Sequence, residues 1–163
     1  MANVMFKKMS EKFREQLGDP DIKISGLEIW IHGRQFPDTE DYWDGNWLRV
    51  TVHCSADSSS VWANGTFIHL PELCGWYEST LELNDSLKGS AHLECMEPNL
   101  SAIIKAKSLG QLTMEVNITP NHLEQEHKYL FELDQSYLPG FLSGCKKVLE
   151  KYPVKGTNEA KGT

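Results

Sequence analysis

Apolar and polar positions alternate with a period of two along most of the chain and switch to a helical period at three places. The clearest alternation covers residues 47–54. Leu48, Val50, Val52 and Cys54 face one side there, and Trp47, Arg49, Thr51 and His53 face the other. Residues 22–31 alternate in their second half, with Leu27, Ile29 and Ile31 opposite Glu28, Trp30 and His32. This predicts one half-buried strand with Gly26 as a bulge. Residues 61–70, 91–96, 100–106, 111–119 and 126–134 read as further strands, about seven in all. The connectors are short and polar, which favours antiparallel neighbours.

The period changes at Leu70-Pro71. Leu70, Leu73, Cys74, Tyr77 and Leu81 form one stripe, predicting a helix over 71–84 with the proline in its first turn. A stronger stripe of Leu138, Phe141, Leu142, Cys145, Val148, Leu149 and Tyr152 predicts a helix over 135–152, stopped by Pro153. Lys146, Lys147 and Lys151 fall in its last turns, where the macrodipole favours cations. Met5, Met9, Phe13 and Leu17 recur every four residues and predict an amphipathic N-terminal helix over 4–17 that docks on the domain. The expected organisation is that N-terminal helix in 1–20, one α+β domain in 21–154, and a disordered polar tail in 155–163. The fold class is α+β: a mainly antiparallel sheet, either curved or split into two layers, with two packed helices and the added N-terminal one. Leu70-Pro71 and Leu138-Pro139 lie 68 residues apart, and each follows a strand and opens a helix. Two repeated halves are one reading of this echo. The common strand–proline–helix grammar is the other.

Charge narrows the function classes. The 23 carboxylates against 16 Lys and Arg give a net charge of −7, which argues against non-specific nucleic-acid binding and permits a basic partner. The same charge also serves solubility. Neither a secretory signal nor a membrane-length apolar run is visible, so no membrane partner is expected and the expected location is cytoplasmic. Cys54, Cys74, Cys95 and Cys145 are scattered and read as free, buried, reduced thiols.

The densest chemistry lies between the first two clear strand runs. Asp38, Glu40, Asp41 and Asp44 share one loop with Tyr42, Trp43 and Trp47. Exposed neighbouring acids do not predict acid–base catalysis, and their spacing is not that of an EF-hand. The loop reads as a partner-binding patch, with the acids for steering and Tyr42 and Trp43 as anchors. The competing reading packs Trp43 and Trp47 beneath the loop and leaves the acids merely solvated. His53-Cys54, His92 with Cys95, and His122 with His127 lack zinc spacing and read as surface histidines and core cysteines. Ser143 lies within a helix rather than on a nucleophile elbow, and Cys145 lies on an apolar stripe. No catalytic signature is found and no cofactor is expected. Trp30, Trp62 and Trp76 could line a small-molecule cavity inside a curved sheet, a second function class. A structural or regulatory binding module is a third.

Several features together resemble a known family. Phe36-Pro37 opens the acidic stretch, which ends in Asp44-Gly45-Asn46-Trp47-Leu48. Phe131-Glu-Leu-Asp134-Gln-Ser-Tyr137-Leu-Pro139 leads into the final helix, which closes with Tyr152-Pro153-Val154. Over residues 22–154 the chain resembles the WapI family of bacterial immunity proteins. That resemblance implies a cytosolic, non-catalytic inhibitor of the basic, RNA-cleaving toxin domain of a contact-dependent wall-associated protein.

Overall fold

The computed structural model describes residues 11–159. Met5, Met9 and the start of the predicted N-terminal helix lie outside the described residues, as do the last four of the tail. Residues 11–17 are helical (α1). Eight strands follow in two four-stranded antiparallel meanders. The first holds β1 (Ile22–Ile24), β2 (Leu27–Arg34), β3 (Trp47–Ala56) and β4 (Ser59–His69) in that order, and runs into helix α2 (Leu70–Ser86). The second holds β5 (Ser90–Glu94), β6 (Leu100–Ala106), β7 (Gln111–Ile118) and β8 (Lys128–Asp134), and runs into α3 (Leu138–Lys151). The class is the α+β, two-layer form of the expectation.

The strand count rises from about seven to eight because residues 22–31 are a hairpin, not one bulged strand. Ser25 adopts φ 51°, and Ile22, Lys23 and Ile24 pair back onto Ile29, Glu28 and Leu27. Gly26 is required here for space. A Cβ would lie 2.0 Å from the Ser55 carbonyl oxygen and 2.9 Å from the Phe131 ring of the second sheet.

Inward positions of both sheets and the apolar faces of α2 and α3 build one contiguous core. In β3 this is the alternation of the sequence made physical, with Leu48, Val50, Val52 and Cys54 all buried. Each helix packs against the other half. α2 leaves the first sheet and lies along β5, α3 leaves the second sheet and lies along β1, and the two helices meet. Trp76 of α2 packs edge-on to Phe141 of α3, with ring centroids 4.6 Å apart. Gly144 lets α3 approach β1, since a Cβ would sit 2.6 Å from the Asp21 carbonyl oxygen. The echo at Leu70 and Leu138 thus marks two halves of one plan, with both leucines fully buried and a proline next in each helix. Among the described residues no helix is long and apolar enough to cross a membrane.

Candidate functional site

Between β2 and β3 the chain leaves the sheet for a loop of residues 35–46, closed by a short 3-10 turn at Asp44–Asn46. Asp41 shapes the loop. Its Oδ1 accepts hydrogen bonds at 2.8 Å from the backbone N–H groups of both Trp43 and Asp44, and its carbonyl accepts from Gly45 N–H at 2.9 Å. This local side-chain-to-backbone bonding is what aspartate does in turns. Asp41 is therefore a structural acid as well as a charge.

Three residues brace the loop from behind. Arg34 ends β2 buried, and its guanidinium donates to the carbonyl of Gly45 at 2.6 Å, to Asn46 Oδ1 at 3.2 Å and to the Pro153 carbonyl. Burial lowers its pKa from the ordinary value, with Glu40 and Tyr152 opposing that shift. Asn46, fully buried, donates to the carbonyls of Tyr42 at 2.7 Å and Lys155 at 2.8 Å and accepts from Lys155 N–H at 2.8 Å. Lys155 Nζ donates to the carbonyls of Pro37 and Thr39 at 2.8 and 3.0 Å and pairs with Glu40 at 3.1 Å. Lys155 is the first residue of the polar tail. Lys155 is held to Asn46 by two main-chain bonds, because a buried amide has no water to pair with. A recess of about 310 Å³ lies between Glu40, Asp41, Tyr42 and Trp43 of the loop and residues 157–159.

The aromatic residues gather on His69, the last residue of β4. His69 is buried, stacks on Trp43 (centroids 5.6 Å, planes 17° apart), and meets Tyr42 at 5.6 Å and Trp47 at 4.8 Å. Its Nε2 lies 3.0 Å from the Trp43 carbonyl, and its own backbone N–H donates to Glu72 of α2 at 2.9 Å. One residue therefore caps α2 and carries the loop's ring cluster. Of Tyr42, Trp43 and Trp47, Trp43 projects most, 47 % exposed, and the other two are half-buried. Asp38, Glu40, Asp41 and Asp44 are all exposed. Trp43 and Trp47 thus both pack on the His69 ring, and Trp43 keeps the larger exposed surface.

A second polar group sits on the outward face of the first sheet, beneath α1. Arg14 forks onto Glu28, with Nη1 to Oε2 at 2.9 Å and Nη2 to Oε1 at 2.7 Å. His53 Nδ1 lies 3.0 Å from Glu28 Oε1 and 3.1 Å from Arg14 Nη2, and its Nε2 lies 2.6 Å from Ser60 Oγ. His53 is thus buried rather than at the surface, and stacks on Trp62 at 4.0 Å. The order carboxylate–imidazole–hydroxyl is that of a nucleophilic triad, yet Arg14 neutralises the carboxylate and opposes an imidazolium, which a triad must form. Burial first, and Arg14 as a lesser cause, hold the His53 pKa below its usual value, against the raising effect of Glu28.

Trp30 and Trp62 stack on this same outer face, 5.6 Å apart, while Trp76 lies in the core between the helices. The three do not line one cavity. The four cysteines are free, though Cys74 and Cys95 are only half-buried. Burial pushes the Cys145 thiol up to about 12.

Two meanders, their exchanged helices and one braced loop held outward define an α+β scaffold that presents a fixed surface. The chain belongs to the Immunity protein WapI-like family, whose model matches residues 17–153. No curated protein and no solved structure matches it. Membership in this family assigns the chain a toxin-immunity role.

Proposed function

We propose that the protein is a non-catalytic inhibitor that binds a basic, RNA-cleaving toxin domain in the cytoplasm through the loop of residues 36–47. The observation that carries this reading is the bracing. Arg34, Asn46 and Lys155 use hydrogen bonds, those of Arg34 to Gly45 and Asn46 buried, to fix a loop whose outward edge offers Trp43 and the exposed carboxylates of Asp38 and Asp44. A preorganised anchor loses little conformational freedom on binding, and a rigid tryptophan ringed by charge is a favoured hot spot. Carboxylates set where a nuclease expects phosphates steer a cationic groove onto the loop.

The test is binding to the purified C-terminal toxin domain of a wall-associated protein from the same cell. Trp43→Ala is expected to raise Kd by about thirtyfold or more, the range of a hot-spot truncation, mainly through faster dissociation. It should also weaken protection of cells expressing that domain. Wild-type affinity in Trp43→Ala would move the interface off this loop.

A further inference from the structure

Glu28 is the most deeply buried carboxylate among the described residues, 3 % exposed, and it sits on an outward sheet face rather than in the core. A charge so enclosed needs a cation with matched geometry. Arg14 supplies it through both guanidinium nitrogens. Lys23 offers only a loose contact at 3.9 Å from a largely exposed side chain. The floor around the guanidinium is built, with His53 stacked on Trp62 and Ser60 fixing His53, and Phe13, beside Arg14 in α1, lies edge-on to Trp62 at 5.0 Å.

Floor and plug have different origins in the chain. Glu28, His53, Ser60 and Trp62 lie within the family match, while Phe13 and Arg14 lie before its first residue, 17. Their seating differs as well. The Glu28 side chain is 4 % exposed, whereas the Arg14 side chain stays 41 % exposed. The acceptor is enclosed and its ligand is only laid over it.

We propose that Glu28, His53 and Trp62 form a guanidinium-recognition site that Arg14 fills in cis. The competing occupant is an arginine of a basic partner polypeptide, flanked by an aromatic residue as Arg14 is by Phe13. The planar fork suits a carboxylate bidentately, and the neighbouring ring adds an aromatic contact on Trp62. This site stands apart from the braced loop and does not rest on it.

The test uses the full chain with Arg14→Ala, titrated with arginine amide and separately with a synthetic peptide of residues 11–18, while the indole N–H resonances of Trp30 and Trp62 are followed. Arg14→Ala is expected to bind both probes saturably, and adding Phe13→Ala, which clears the Trp62 face, should make the peptide at least about tenfold tighter than the amide because it then restores the Phe13 contact. The wild-type chain should bind each at least about tenfold more weakly, since its own arginine competes at high effective concentration. Arg14→Ala combined with Glu28→Gln should bind neither. Arg14→Lys guards against a folding defect: a lysine cannot fork, so its response should fall between wild type and Arg14→Ala. Absence of saturable shifts in both folded Arg14 variants would overturn the site. Equal affinity for amide and peptide once Phe13→Ala is added would overturn the polypeptide assignment.

Discussion

The half made of β1–β4 and α2 and the half made of β5–β8 and α3 follow one plan, a four-strand meander running into a Leu-Pro helix. They differ in what they bury. Glu28, Arg34, Asn46, Thr51, His53, His69 and Thr80 are buried polar residues of the first half, whereas Thr119 is the one such described residue of the second. The second half leaves its other polar side chains exposed or half-buried, and Lys128 and Glu115 form a surface pair there at 3.4 Å. Burying a polar group is costly unless its partners are in place. The first half has met that condition twice, beneath the loop and beneath α1. The scaffold is therefore shared, and the buried polar chemistry sits where one half departs from it.

The largest expected effect strikes the shared part. Trp76→Ala and Phe141→Ala should each cost about 3–5 kcal/mol in denaturant unfolding, since they form one seam between the two helices. Trp76→Phe should cost far less. Its indole N–H is the one fully buried side-chain polar atom without a partner among the described residues, so little hydrogen bonding is lost with it. A cost for either alanine variant below about 1 kcal/mol would mean that the seam does not join the halves.

Next comes the brace. Arg34→Ala leaves the carbonyls of Gly45 and Pro153 without their donor and should cost about 1–3 kcal/mol. Hydrogen exchange should rise at residues 36–46 more than in β6 and β7. Uniform acceleration across both sheets would contradict a local brace.

A smaller effect is expected with pH. The His53 pKa is lowered in the folded state, chiefly by burial, so the unfolded chain binds more protons than the folded one below the unfolded value of 6.5. Stability is thus fully present above that pH and declines as pH falls through the lowered folded value. His53→Gln should remove this part of the decline, read as a flatter plot of unfolding free energy against pH from 6.5 downward. The smallest effect belongs to the second half. Lys128→Ala should change stability by less than about 1 kcal/mol, as exposed pairs usually do.

Much of the scaffold was legible because periodicity records which face is buried. The β3 alternation and the two Leu-Pro helix starts are read directly from residue spacing. The hairpin at 22–31 was not legible, since its two-residue turn carries Ser25 and Gly26 between two apolar alternations that continue one another. His69 escaped notice because helix caps are expected to be Ser, Thr, Asp or Asn. Lys155 escaped because its partner Asn46 lies 109 residues away, and no local pattern encodes a bond of that separation. The residues of the loop face were visible as a charged aromatic cluster. The residues that hold it were not, because an arginine ending a strand and an asparagine in a turn look ordinary until their acceptors are known.

The most direct measurement of the central claim is the association rate with the toxin domain as a function of salt, for wild type and for Asp38→Asn combined with Glu40→Gln and Asp44→Asn. Asp41 is kept, because its carboxylate holds the backbone of Trp43 and Asp44. The account predicts slower association at low salt and a shallower salt dependence in the triple variant, with dissociation changed much less. Association rates that match wild type at every salt concentration would contradict it.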